Sequence, residues 1–238
     1  PCYISQGNGQ ETRRQTHNVK FQLSINMAMT LDGKVARPDG KWYGLSSRND
    51  KKRMDLIRSQ ADALILGKNS LLNDDPVIKL RYVDGKDPLP VILLRKGIIP
   101  KTKKVFSHTV VRPLVICLHE NESIVKEELA AHADILVLEG DDIDPTQVIE
   151  ILKQKNLNRV LLEGGPTLNY AFQKAGLIDV INLTIVPFLI GKRNLPSIVD
   201  GEKEFLSFDS EKWNLTQCEK IDDEVFLKYE KRTTKTED

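Results

Sequence analysis

The stretch Arg159–Ala175, RVLLEGGPTLNYAFQKA, constrains this chain more than any other. Val160, Leu161 and Leu162 form a short apolar run with a β-branched start, which predicts a buried strand. Gly164 and Gly165 break the run. Pro166 then stands where the first turn of a helix accepts it, because the N–H it lacks would be unpaired there. Leu168, Phe172 and Ala175 recur at helical spacing. The stretch therefore reads as strand, glycine turn and helix. Such a joint lets backbone approach a ligand closely, and the free N–H groups of the helix start favour an anion such as phosphate. Glu163 closes the strand at the edge of the same crevice. The pattern is neither the GxGxxG dinucleotide fingerprint nor a P-loop, and many such joints are plain connections, so its meaning depends on the rest of the chain.

The rest of the chain supplies more strands and helices in alternation. Val19 to Ala28 alternates at period two, with Val19, Phe21, Leu23, Ile25 and Met27 on one face. Asp32-Gly33 marks a turn after it. Ser47 caps a helix that runs to about Gln60, with Asp50 three residues on as its capping-box partner and Met54, Ile57 and Ala61 on one face. Ala63–Leu66 is a buried strand that ends at Gly67, and a short helical turn follows before Pro76. Strands are expected at Pro90–Leu94, Val110–Leu118, Ile135–Leu138 and Val180–Ile190. Helices are expected at Ser123–His132 and Pro145–Lys155. Trp213–Lys220 and Glu224–Tyr229 form a terminal hairpin around Asp222-Asp223. The fold class is α/β: a mostly parallel sheet with helices on both faces and an antiparallel edge hairpin. Ligands of such sheets bind beyond the carboxyl ends of the strands, so the turns at Gly67 and Gly164-Gly165 are both candidate edges.

Composition narrows the function. At 238 residues, with 40% hydrophobic and 29% charged residues, the chain has the makings of one globular domain. The expected division is a flexible tail over 1–18, a single domain over 19–232 and a polar tail over 233–238. A net charge of +1 offers no basic surplus for a nucleic acid. No apolar run has the length of a membrane span, and the polar start carries no leader-like apolar segment. Cys2, Cys117 and Cys218 are far apart and odd in number, and His17, His108, His119 and His132 lack metal-ligand spacing. A cytoplasmic protein without a metal site is expected.

Five stretches in order carry a resemblance: MTLDGKVA (29–36), LIRSQADALILG (56–67), LLNDDP (71–76), LLEGGPTLNYAFQKAGLID (161–179) and VPFLIG (186–191). Together they closely resemble the riboflavin-biosynthesis reductases, namely the C-terminal reductase domain of the bifunctional deaminase–reductase and its stand-alone archaeal and fungal relatives. The resemblance implies a dihydrofolate-reductase-like fold, NADPH as hydride donor and a homodimer. The implied substrate is a ribosylaminopyrimidine 5′-phosphate whose ribosyl group is reduced to ribityl. Carried over by position, cofactor contacts fall on Ala28, Ser70, Asp74 and the run Gly165, Pro166, Thr167, Leu168, Asn169, Tyr170 and Ala171. Substrate contacts fall on Arg58, Ile78, Arg81 and Glu163, with the two arginines as a fork for the 5′-phosphate. Asp32 and Glu163 are the catalytic candidates, Asp32 as a proton relay. Lys68, Arg95 and Lys96 are candidate cations for the cofactor 2′-phosphate.

Two departures from the family pattern stand out. Gly67-Lys68-Asn69-Ser70 replaces a Gly-x-Gly-Thr turn, and the zinc signature of the deaminase module is not in the sequence. The substrate is expected to be the diaminopyrimidinone, with the deaminated uracil as the alternative. A dihydrofolate or pterin reductase and a non-catalytic nucleotide-binding module are the further readings.

Overall fold

Apolar runs of β-branched and aliphatic residues dictate a sheet buried on both faces. The computed structural model, which describes residues 20–42, 45–205 and 213–232, builds it from nine strands. The expected tails 1–18 and 233–238, with Cys2 and His17, lie outside the described residues, as does Val19. The strands are β1 (Gln22–Thr30), β2 (Ala63–Gly67), β3 (Leu89–Leu94), β4 (Leu114–Leu118), β5 (Asp134–Leu138), β6 (Arg159–Leu162), β7 (Val180–Val186), β8 (Trp213–Ile221) and β9 (Glu224–Lys231). Their order is β5-β4-β3-β2-β6-β1-β7-β9-β8. Every pairing from β5 to β7 is parallel, and β7–β9 and β9–β8 are antiparallel.

Among the described residues six α-helices connect them: α1 (Arg48–Ser59), α2 (Lys68–Asp74), α3 (Lys104–Ser107), α4 (Glu122–Leu129), α5 (Pro145–Gln154) and α6 (Pro166–Lys174). Alternation along the strands divides the core in two. Ile65, Leu93, Ile116 and Leu162 pack with Val148 and Leu152 of α5 and Phe172 of α6 on one face. Leu64, Leu66, Ile92, Val115 and Leu161 pack with Leu71 of α2, Phe106 of α3 and Leu129 of α4 on the other.

Two of the differences from expectation have local reasons, and a third, in α1, does not. β7 stops at Val186 rather than Ile190, because Pro187 has no N–H for the ladder. β4 begins only at Leu114, after Pro113. α1 buries Asp55 and Arg58 most deeply, not its apolar residues. Asp55 Oδ2 accepts from the Arg81 and Tyr82 backbone N–H groups at 2.6 and 3.1 Å, Asp55 Oδ1 makes no hydrogen bond and has only the Arg81 guanidinium 3.7 Å away, and Arg58 meets a carboxylate at the sheet edge.

Candidate active site

The two glycine joints of the sequence lie side by side. β2 and β6 are adjacent and parallel, with Ile65 opposite Leu162, so Gly67 and Gly164-Gly165 leave the sheet together at its carboxyl edge. The Glu163 N–H donates to the Ile65 carbonyl at 3.1 Å and carries the pairing to the turn. The Leu168 side chain fills the space against both joints: a Cβ would lie 3.6 Å from Leu168 Cδ2 at Gly67 and 2.4 Å from it at Gly164. Gly165 is the N-cap of α6 and, having no side chain, makes no side-chain capping bond.

A cleft of about 680 Å³ opens along this edge. Met27 and Ala28 of β1 contribute to its lining together with Trp42. On the β2 and β6 side it is lined by Ser70, Asn73 and Asp74 of α2 and by Glu163, Gly164, Gly165 and Pro166. On the other side stand Ser46, Asp50, Lys51 and Met54 at the start of α1. Arg81 also lines it. Volume and lining suit a small organic ligand with a few fixed polar contacts.

Of the residues expected to meet cofactor, Ala28, Ser70, Asp74, Gly165 and Pro166 line this cleft. The rest of the run lies along α6 and serves other ends. Leu168 packs under the glycines, buried Asn169 donates to the Ile198 carbonyl at 2.7 Å, and the Tyr170 ring stacks on Phe205 at 5.2 Å. Thr167 is exposed and Ala171 half-buried. The candidate cations stand together but engaged: Lys68 donates to the Lys96 carbonyl at 2.8 Å, Arg95 pairs with Asp142 at 3.4 Å and Lys96 with Glu120 at 3.5 Å.

Of the four substrate candidates, Arg81 and Glu163 line the cleft, and Arg58 and Ile78 are buried behind it. Arg58 is not a free phosphate fork. It is 3% exposed, and its Nε and Nη2 clasp Glu163 at 3.1 and 2.5 Å while Nη1 donates to the Val77 carbonyl at 3.3 Å. Burial works against its charge, but the Glu163 carboxylate more than offsets that and holds the guanidinium protonated above its usual value. Ile78 has its side chain wholly in the core, so only its backbone can reach a ligand. Arg81 is 41% exposed at its side chain and has one long ion pair, 3.7 Å, to Asp55.

Glu163 stands between Arg58 and the cleft and also accepts from Asn26 Nδ2 at 3.4 Å. Asp32 is placed elsewhere. Its carboxylate accepts from Thr30 Oγ1 at 2.6 Å and from the Ile190 and Gly191 N–H groups at 3.2 and 2.8 Å, tying the turn after β1 to the segment after β7. Those bonds hold its pKa down at about 2. Asp32, expected from sequence as a proton relay, thus clasps two turns together, and it is not among the residues that line the cleft.

Asp50 is the residue that sequence reasoning missed. Its spacing from Ser47 reads as a capping box, but the Ser47 N–H that a capping box would satisfy donates instead to Glu224 Oε1, at 3.0 Å. Asp50 lines the cleft. Burial pushes its carboxyl above the ordinary range and the Glu224 charge adds to this, against the Thr184 hydroxyl, the Arg53 charge and Ser46.

Comparison with known proteins now decides the family. The model of the RibD C-terminal domain matches residues 22–227. The chain belongs to the RibD C-terminal domain family. A curated relative of this family member is the 2,5-diamino-6-ribosylamino-4(3H)-pyrimidinone 5′-phosphate reductase of Methanothermobacter thermautotrophicus, 30% identical over 209 residues, 86% of this chain and 95% of that one. The enzyme of the same name from Archaeoglobus fulgidus is 28% identical over 188 residues, 75% of this chain and 85% of that one.

Among solved structures, Acinetobacter baumannii RibD superposes with a TM-score of 0.74 at 22% identity, covering 90% of this chain and 59% of that one. The Saccharomyces cerevisiae riboflavin biosynthesis reductase gives 0.61 at 20% identity, covering 92% and 93%. These structures show that the fold is the RibD reductase-domain fold, dihydrofolate-reductase-like. This RibD C-terminal domain member is an oxidoreductase of a reductase family, and such reductases draw on a nicotinamide cofactor. No helix among the described residues is long and apolar enough to cross a membrane, and no cluster of His, Cys, Asp and Glu among them is placed to hold a metal.

Proposed function

We propose that the protein reduces the ribosyl group of 2,5-diamino-6-ribosylamino-4(3H)-pyrimidinone 5′-phosphate to the ribityl form, with NADPH as donor. The observation that carries this reading is the paired glycine joint opening into one cleft beside the ion-paired Glu163. The similarity to archaeal reductases along nearly their whole length names the reaction. The cleft fits the cofactor chemically. The uncapped start of α6, the Ser70 hydroxyl near Gly165 and the side-chain-free Gly165 surface make a cradle for a phosphate-bearing group. Ala28, Ser70, Asp74, Gly165 and Pro166 would hold it, and NADPH bound there supplies the hydride.

The protein's own residues supply position and charge. Arg58 fixes Glu163 so that a carboxylate edge stands at the cleft wall, where it can accept from a ribose hydroxyl or the aminal N–H. Arg81, exposed at the cleft that Lys41 and Lys51 also line, is the guanidinium available to the 5′-phosphate. Opening of the aminal breaks the bond from C1′ to the ring oxygen, moves the amine proton to that oxygen and leaves an imine; C1′ would then accept the hydride and the imine nitrogen one proton. We further propose that the active form is a homodimer in the cytoplasm and that residues 19–232 fold as one unit. Sedimentation velocity checks the two-chain mass.

The test is direct: mix the protein with NADPH and the diaminopyrimidinone and follow nicotinamide absorbance. Oxidation with that substrate, and not with dihydrofolate, is expected. Saturable NADPH binding without turnover of any pyrimidine would instead favour a non-catalytic module.

A further inference from the structure

The first turn of α1 puts a carboxylate in the cleft that its own helix does not use. Ser47 is the N-cap: its hydroxyl accepts from the Asn49 and Asp50 N–H groups at 3.0 and 3.1 Å. At the third helical position, Asp50 is placed to accept the Ser47 N–H in return. Glu224, at the start of β9, has taken that work. It accepts the Ser47 N–H at 3.0 Å and the Ser47 hydroxyl at 2.5 Å, and it is 4% exposed. With the cap completed from the other end of the chain, Asp50 is released to line the cleft.

Its surroundings orient it without neutralising it. Arg53 spends its guanidinium on Thr184 Oγ1 at 3.3 Å and on the Leu227 carbonyl at 3.0 Å. Thr184 of β7 is fully buried, and its hydroxyl and that of Ser46 are the hydrogen-bonding groups beside the Asp50 carboxylate. Arg53 on α1 and Glu224 on β9 are the charges that act on it. An ionised carboxylate offers about four acceptor sites, more than two hydroxyls fill. The other carboxylates of the cleft are committed: Glu163 to Arg58, and Asp74 to the Trp42 N–H at 3.2 Å. The lining that includes Asp50 also has Met27, Met54 and Trp42, apolar and aromatic surface suited to a flat ring, together with Lys41 and Lys51.

We propose that Asp50 reads position 2 of the pyrimidine ring, accepting from the exocyclic 2-amino group and the adjacent ring N3–H. This inference rests on the reductase reading above and sharpens it, because the two candidate substrates differ at that position. The diaminopyrimidinone presents two donors side by side, the pattern that a carboxylate accepts in parallel. The deaminated uracil presents N3–H beside a carbonyl oxygen, which faces the carboxylate acceptor to acceptor. Sites built for a hydrogen bond reject the analogue that cannot make it far more strongly than apolar pockets reject a size change. Asp50 is thus a specificity residue, and the chain is committed to the aminated ring.

The experiment is the ratio of kcat/KM on the diaminopyrimidinone to kcat/KM on the uracil, both with NADPH, for the wild type, Asp50→Asn and Asp50→Ala. The expected wild-type ratio is above about 100. In Asp50→Asn it falls below about 10, because the amide can accept from N3–H and donate to the 2-carbonyl. Asp50→Ala loses activity on the diaminopyrimidinone and not on the uracil. Both variants keep the Ser47–Glu224 cap, and a thermal melt checks that they fold. A structural role for Asp50 would lower both activities together and leave the ratio unmoved. If the wild type discriminates and the variants keep its ratio, the role of Asp50 is overturned and the reductase reading stands. A wild type that prefers the uracil overturns the proposed reader and the aminated substrate together. Turnover of neither pyrimidine overturns the reductase reading itself.

Discussion

At the scale of single residues, two carboxylates with similar sequence credentials stand in opposite settings. Glu163 is held by Arg58 in an ion pair whose side chains are 10% and 4% exposed. Removing one member of such a pair leaves the other charge buried and unmatched, which costs about 3–5 kcal/mol. Arg58→Met is therefore expected to lower the urea-unfolding free energy by about that amount. Adding Glu163→Leu to it restores most of the loss while leaving the enzyme inactive. An Arg58→Met protein as stable as wild type would show that the pair is solvated and the clasp unimportant. Asp32 is different: its bonds to Thr30, Ile190 and Gly191 favour the ionised form and depress its pKa from 3.8 to about 2. A carboxyl with a depressed folded pKa contributes stability above its unfolded value and loses it as pH falls through the folded one. The difference in melting temperature between wild type and Asp32→Asn is then constant above about pH 5 and closes between about pH 4 and pH 2. A gap unchanged down to pH 2 would mean that the Asp32 charge plays no part.

At the scale of elements, the glycine joint separates packing from ligand access. A Cβ on Gly164 would lie 2.4 Å from Leu168 Cδ2 and 3.2 Å from Leu168 Cγ, so Gly164→Ala must shift the first turn of α6. Overpacking of this kind costs about 1–3 kcal/mol, readable by urea denaturation. A Cβ on Gly165 meets only Ser70 Oγ, at the ordinary distance of 3.5 Å, and the backbone there has φ −66. Gly165→Ala should keep wild-type stability and weaken NADPH binding by about tenfold, as a misplaced methyl does in a shaped pocket. Equal losses of stability in both variants would contradict this division. These joints were legible in the sequence because strand, glycine and helix start are neighbours along the chain. The edges of β4 and β7 follow from Pro113 and Pro187 in the same local way. The buried polar stripe of α1 was not legible, since Asp55 and Arg58 find their partners at Arg81 and Glu163 only after folding. The role of Asp50 was hidden for the same reason: its local reading as a cap is correct chemistry, displaced by Glu224 from 177 positions beyond Ser47.

At the scale of the whole molecule, the terminal hairpin is coupled to the start of α1 and so to the cleft. β9 pairs with β7, the strand beside β1, which brings Glu224 to Ser47 and the Leu227 carbonyl to Arg53. Glu224→Gln keeps one carbonyl acceptor for the Ser47 N–H and loses the carboxylate that receives the Ser47 hydroxyl. Losing a buried bond to a charged group costs about 1.5–3 kcal/mol, which urea denaturation at neutral pH will show. The same change removes the negative charge that helps raise the Asp50 pKa, so that pKa moves down toward its ordinary value. Asp50 accepts from both ring donors in parallel only when ionised. In the wild type, KM for the diaminopyrimidinone therefore rises as pH falls through the Asp50 pKa, and in Glu224→Gln that rise begins at a lower pH. A purely structural hairpin would lower stability and leave the pH at which KM rises where it was. Movement of both together would show that the far end of the chain sets the charge of the residue that reads the substrate.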